Sequence, residues 1–132
     1  MSKDAIFRLC DQVRELSFGI HRWFGPGHLE KVYENALAHR LRKAGIPFEQ
    51  SVELTVYEED GTPVGKYEAD LIIAGQIIVE LKAAKDIADE HIAQLFCYLR
   101  TTGMEHGLLI NFGASKLFIK KYILDKYIPP IE

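Results

Sequence analysis

Asp70, Glu80 and Lys82 stand where a chain ordinarily places apolar residues. They lie within the stretch Glu68 to Ala84, whose core is two short apolar runs, Leu71-Ile72-Ile73 and Ile77-Ile78-Val79, separated by Ala74-Gly75-Gln76. Runs of this length, rich in Ile and Val and broken by a Gly, read as a β-hairpin. Burying two carboxylates and an ammonium in such strands is costly unless each finds a partner. Glu80 and Lys82 are two apart, so they share one face of their strand. With a three-residue loop, Ile73 pairs with Ile77 and Asp70 lies opposite Glu80, their Cβ atoms about 5 Å apart. A two-residue Gly75-Gln76 loop would instead set Asp70 opposite Leu81, on the other face. The odd-length loop is expected, because it alone gathers all three groups. Two carboxylates this close repel unless a proton or a cation intervenes. Oxygen-only ligands favour a hard cation, Mg²⁺ or Mn²⁺. Lys82 beside them suits orienting a water or neutralising an oxyanion. The blander alternative is a buried ion-pair cluster that only fixes strand register.

The elements that must position these groups are legible on either side. Ile6, Leu9, Val13, Leu16, Ile20 and Trp23 recur at helical steps, predicting an amphipathic helix from Asp4 to Phe24 that Gly25-Pro26-Gly27 ends. His21 and Arg22 near its end could touch a phosphate, though a solvated helix end is the ordinary reading. A second helix is expected from His28 to Ala44, with Leu29, Val32, Tyr33, Ala36, Leu37 and Leu41 as its apolar stripe and Gly45 and Pro47 as its stop. Glu30 lies on the flank of that stripe, and Glu34 could share it. The pattern alone leaves Glu30 equally a site acid and a solvent-facing acid suited to the helix dipole. Phe48 to Tyr57 alternates as a half-buried strand, Glu58 to Pro63 is a turn, and the strands bearing Asp70 and Glu80 follow as an antiparallel meander.

Asp86 or Asp89 is expected to cap a third helix that runs to Thr101 and stops at Gly103. It carries Ile87, Leu95 and Leu99 as core candidates. Gln94 and Tyr98 are four apart and stack on one of its faces. Leu108 to Ile110 and Leu117 to Ile119 read as two more strands, and the helical crossover before them makes part of the sheet parallel. Lys120, Lys121 and Lys126 form one small basic patch, and Arg40, Arg42 and Lys43 another, with solvation the default for both. Pro129-Pro130 ends regular structure.

Composition sets outer bounds. The chain has 132 residues, 48% apolar and 27% charged, which predicts one soluble domain spanning residues 1–132. No run approaches the length of a membrane span and no leader is apparent, so a cytoplasmic protein is expected. Cys10 and Cys97 read as buried thiols rather than a disulfide or metal pair. A net charge of −3 announces no global affinity for nucleic acid, although a local basic face can coexist with acidic ligands.

Asp70 followed by Val79-Glu80-Leu81-Lys82 on adjacent strands resembles the PD-(D/E)XK nuclease superfamily, with Glu68-Ala69-Asp70 in place of its usual Pro-Asp. Gln94 and Tyr98 resemble the QxxxY motif of its RecB-like branch. Gly27-His28-Leu29-Glu30-Lys31-Val32-Tyr33 is similar to the defining string of the GxxExxY proteins, and Gly107 to Gly113 resembles their usual ending. The resemblance covers Trp23 to Tyr122. It implies an α/β, restriction-endonuclease-like core: a mixed sheet of about five strands, a meander plus a parallel crossover, flanked by helices. It implies that Asp70, Glu80 and the Leu81 carbonyl hold Mg²⁺ or Mn²⁺, with Glu30 completing the site directly or through water. Lys82 would position the attacking water, Gln94 would orient site groups or the substrate backbone, and Tyr98 would support it. The implied activity is metal-dependent hydrolysis of DNA, the substrate expected among nucleic acids. So short a chain has little surface for a long duplex, which leaves a homodimer open. The alternative is a non-catalytic module binding nucleic acid or protein on the same fold.

Overall fold

The computed structural model describes residues 1–125. The element order is α1 (Lys3–Phe24), α2 (Glu30–Lys43), β1 (Phe48–Tyr57), β2 (Pro63–Ile73), β3 (Ile77–Lys82), α3 (Asp89–Thr102), β4 (His106–Asn111) and β5 (Phe118–Ile123). The strands form one sheet in the order β1-β2-β3-β4-β5. β3 and β4 are parallel and every other pair is antiparallel. This is the restriction-endonuclease-like α/β architecture expected: a meander, a helical crossover and a returning strand. Among the described residues no helix is long and apolar enough to cross a membrane.

Two apolar layers hold the sheet. α1 and α2 cover one face, where Val13, Ile20, Tyr33, Leu37 and Leu41 pack on Leu71, Ile73, Val79, Leu81 and Ile110. α3 covers the other, where Leu95, Tyr98 and Leu99 pack on Ala69, Ile72, Ile78 and Leu109. Period-two alternation along β3 and β4 explains the division, since successive residues serve opposite layers. The β2–β3 loop is the three-residue Ala74-Gly75-Gln76, with φ of 53° at Ala74 and 63° at Gly75. Ile73 pairs with Ile77, as expected.

Several sequence expectations need correction. Trp23 and Leu29 are each 79% exposed rather than part of an apolar stripe. Trp23 lies in the last turn of α1, beyond the layer that buries Ile20. Leu29 is in extended conformation (ψ 148°) before α2 begins at Glu30, so helical spacing does not apply to it or to His28. Neither Asp86 nor Asp89 caps α3: Ala88 is its N-cap, and the His91 ring accepts the Ala88 amide at 3.0 Å. β5 starts at Phe118, not Leu117. Lys121 is not a solvated patch residue. Its ammonium lies 3.4 Å from the Phe7 ring centroid and burial lowers its pKa. Cys97 is only half-buried, its Sγ 3.6 Å from the Tyr67 hydroxyl. Lys126 and Pro129-Pro130 lie outside the described residues.

The end of β3 is fixed from the far side of the sheet. The Phe112 amide donates to the Lys82 carbonyl at 2.9 Å. The buried Asn111 side chain accepts from the Ala84 and Gly113 amides, both at 3.0 Å, and donates to the Ala84 carbonyl at 2.9 Å. A Cβ on Gly113 would lie 2.4 Å from Ala84 backbone atoms. Gly113→Ala must therefore push apart the segment that follows Lys82. It is expected to lower urea stability by about 1–3 kcal/mol. Gly65→Ala, whose Cβ meets nothing within 4 Å, is expected to stay within about 0.5 kcal/mol. Equal stability of the two variants overturns this account of Gly113.

Candidate active site

The paired ladder between β2 and β3 ends at Leu71 and Val79. Beyond it the two carboxylates take over as acceptors. The Asp70 amide donates to Glu80 Oε1 at 3.0 Å, and the Leu81 amide donates to Asp70 Oδ2 at 2.8 Å. The acids thus meet across the strands, on the same side of the sheet, as the odd loop requires. β1 leaves Asp70 alone as well: Gln50 pairs with Leu71 and Val52 with Ala69, while the intervening Ser51 has a left-handed φ of 54°. A left-handed serine costs on the order of 1–3 kcal/mol. Both strands change face here. Phe48 and Leu71 serve the α1–α2 layer, whereas Val52, Leu54 and Ala69 serve the α3 layer. The twist at Ser51 and Asp70 is what frees the Asp70 carboxylate from a regular position.

α3 supplies the wall. Lys82 Nζ donates to Gln94 Oε1 at 3.1 Å, which joins the lysine to the glutamine expected to orient site groups. One turn on, Tyr98 is 5% exposed, its ring 5.3 Å from Tyr67. Burial first, then the negative charges of Glu80 and Asp70, push the Tyr98 phenol up to about 12. The phenol stays protonated and can only solvate the acids as a neutral wall.

α2 supplies more acid than expected. Glu30 is exposed at the first turn, close enough for its charge to raise both Asp70 and Glu80. Glu34 is the deeper residue, 3% exposed, close enough to raise Asp70 and bridged by Lys31 at 2.8 Å and by Gln50. Its spacing of three, four and seven from Leu37, Ala38 and Leu41 was the available signal, since it places Glu34 on the buried stripe. Gln50, by contrast, carried no sequence signal. Tyr33 sets where α2 starts. Its hydroxyl donates to the Gly25 carbonyl and accepts the His28 amide at 3.1 Å, while its ring stacks on Phe112 at 4.7 Å. Gly27, with φ of 110°, makes that turn. The spacing Gly27, Glu30, Tyr33 is therefore a brace that presents Glu30 at the helix mouth. His21 is committed elsewhere, its Nε2 2.9 Å from the Ala114 carbonyl.

Both central acids bind protons tightly. Burial, opposed by the Leu81 amide and reinforced by Glu34 and Glu30, raises Asp70 to about 6. Burial and the Asp70 charge raise Glu80 to about 8. Among the described residues no group of three or more His, Cys, Asp or Glu side chains is gathered tightly enough to hold a metal by itself. The fit is instead to a cation that takes two carboxylates and keeps several waters. Oxygen donors of this kind suit a small hard divalent ion. The excess of buried negative charge is what such an ion would offset.

A family model described as the PD-(D/E)XK nuclease superfamily matches residues 8–122. No curated protein matches the chain. Among solved structures, the crystal structure of SSO0001 is similar with a TM-score of 0.60 and 23% identity, over 90% of this chain and 62% of that one. The alkaline exonuclease LHK-Exo from Laribacter hongkongensis is similar with a TM-score of 0.51 and 13% identity, over 95% of this chain and 73% of its own. Both are likenesses of fold, and the chain spans less than two thirds of the first.

The two raised acids set a pH dependence. With folded values of about 8 and about 6 against 4.5 and 3.8 ordinarily, the native state holds protons that the unfolded chain has released. That contribution is complete below the unfolded values and is lost as pH rises through the folded ones. In EDTA the Tm is expected to fall between about pH 5 and pH 9, and Glu80→Gln to flatten most of the fall. A wild-type Tm that climbs over that interval contradicts the assignment.

Proposed function

Because the chain belongs to the PD-(D/E)XK nuclease superfamily, we propose that it is a Mg²⁺-dependent nuclease hydrolysing DNA phosphodiester bonds. The observation that carries this reading is the meeting of Asp70 and Glu80 across β2 and β3, with Lys82 held beside them by Gln94. Asp70, Glu80 and the Leu81 carbonyl are the proposed ligands, with Mn²⁺ as the alternative ion. Bound there, the ion would lower the pKa of a water and neutralise charge on the scissile phosphate. The residues do the rest. The Asp70 and Leu81 amides hold the carboxylates in place before any ligand arrives. Glu30, at the mouth, reaches the ligand sphere through water, and Glu34 steadies Asp70 from beneath. Lys82 orients the attacking water and meets the charge that builds on the phosphoryl oxygens. Gln94 keeps Lys82 aimed inward, and Tyr98 closes the α3 side against bulk solvent.

The Gly27, Glu30, Tyr33 brace and the Gln94–Tyr98 pair support placing the chain with the GxxExxY proteins on the RecB-like branch. One sheet with a layer on each face supports a single nuclease-like domain over residues 1–132, and two free thiols suit a cytoplasmic setting. A homodimer is proposed for duplex substrates, since one chain offers little surface along DNA.

The test is cleavage of branched, single-stranded and duplex DNA in Mg²⁺ or EDTA, alongside thermal shift. Wild type should cut at least one substrate only with the ion, and Lys82→Ala should be about 100-fold slower or worse. Mg²⁺ should raise the wild-type Tm by mass action and leave Asp70→Ala unmoved. Identical behaviour of wild type and Lys82→Ala on every substrate ends the catalytic reading. Ion-independent DNA binding without turnover would select the binding module.

A further inference from the structure

The outer surface of α1 and α2 carries a feature that the chemistry above does not use. Trp23, the chain's only tryptophan, is 79% exposed in the last turn of α1. One turn earlier, a Cβ on Gly19 would lie 2.5 Å from Arg40 Nη1 and 3.8 Å from Arg22 Nη2. The glycine leaves a notch over which the two guanidinium groups converge. Among the described residues the ion pairs are Lys31–Glu34 and Lys66–Glu53, so neither arginine has a carboxylate partner. Like charges gathered over one backbone position repel unless an anion lies between them.

A cavity of about 390 Å³ opens alongside, its walls including Trp23, Phe24, Asn35, His39 and Arg40. A second, of about 560 Å³, shares His39 and Arg40 and continues to Lys43. Among the described residues neither is lined by a single Asp or Glu, in a chain that has 19 of them. Hydrogen bonds link the groove wall to the acidic centre. Gln50 Nε2 donates to both Glu34 and Asn35, tying the acid beside Asp70 to the groove wall. From Val32 to Lys43 the helix rises about 16 Å, the length of about four or five stacked nucleotides of one strand.

We infer that this groove binds single-stranded nucleic acid, one base stacking on Trp23 and a backbone phosphate bridging Arg22 and Arg40. An exposed indole flanked by guanidinium groups offers the stacking platform and the charge that such strands require. A duplex keeps its base faces covered, so Trp23 selects single strands, frayed ends and flaps. Only the direction of the strand, toward Asp70 and Glu80, rests on the nuclease reading; binding does not.

Trp23 reports on its own occupancy. With the full chain in EDTA, single-stranded oligothymidylate should quench its fluorescence saturably and shield it from iodide. A blunt duplex of equal length should bind about 10-fold more weakly or worse. By anisotropy of a labelled oligonucleotide, Trp23→Ala and the Arg22→Gln, Arg40→Gln double variant should each raise Kd about 10-fold or more. Their Tm should match wild type, because none of the three belongs to the core. An indole left unquenched by saturating oligonucleotide, or variants that bind as wild type does, overturns the groove. So does quenching that tracks protein concentration without oligonucleotide, the mark of a second copy seated on Trp23. If wild type cuts nothing while the titration succeeds, the groove stands and the catalytic reading falls.

Discussion

Each of two acids accepts a hydrogen bond from an amide next to the other, and the rest of the molecule serves that exchange. The Asp70 amide goes to Glu80 and the Leu81 amide to Asp70. In an ordinary hairpin those amides would continue the ladder. Here side chains replace backbone acceptors, so the strands stay joined while their ends carry carboxylates instead of carbonyls. An amide donor favours the ionised form, and burial favours the protonated one. Burial wins at both residues. The pair is therefore geometrically ready and electrostatically unfinished, which is the condition a cation-binding site needs before its ion arrives.

Keeping that geometry takes three separate restraints. β4 holds β3 in parallel register as far as Lys82 and Asn111. Asn111 and Gly113 then clamp the chain at Ala84, so the strand cannot fray beside the lysine. On the other side, the left-handed Ser51 and the change of face at Asp70 are local strain that the surrounding layers over-determine. Tyr33 is the third restraint, because its hydroxyl ties the α1–α2 turn and its ring rests on Phe112, the residue next to Asn111. One aromatic stack thus joins the helix that offers Glu30 and Glu34 to the strand end that fixes Lys82.

Much of this was legible in the chain. Period two and an odd loop between Ile73 and Ile77 were enough to put Asp70 opposite Glu80, because pleat parity admits one answer per loop length. The helices followed from apolar spacing, and the parallel pair from a crossover helix. Spacing spoke to depth only in part. Glu30 and Glu34 are a turn apart, and the one set three, four and seven residues before Leu37, Ala38 and Leu41 is the one buried. Gln50 reaches Glu34 because it lies on the face of β1 that Phe48 shares and α2 covers, paired with Leu71. Trp23 and Leu29 look like core from their types, but each lies past the end of the layer that would bury it. Ala88 caps α3 without a side-chain acceptor; instead the His91 ring accepts the Ala88 amide and the His91 amide donates to the Ala88 carbonyl.

Net charge misleads for a related reason. A surplus of acid reads as hostility to a polyanion, yet the sum says nothing about placement. In this chain Glu34 and Glu80 are buried and Asp70 half-buried; Glu34 is paired with Lys31, and burial favours the neutral forms of Asp70 and Glu80. Among the described residues, the arginines at positions 22 and 40 lie outside the core without carboxylate partners. A polyanion approaching from the helix side meets those guanidinium groups first, within a Debye length of about 8 Å at physiological salt. Most other acids are exposed as well, so what composition conceals is the local grouping of the cations.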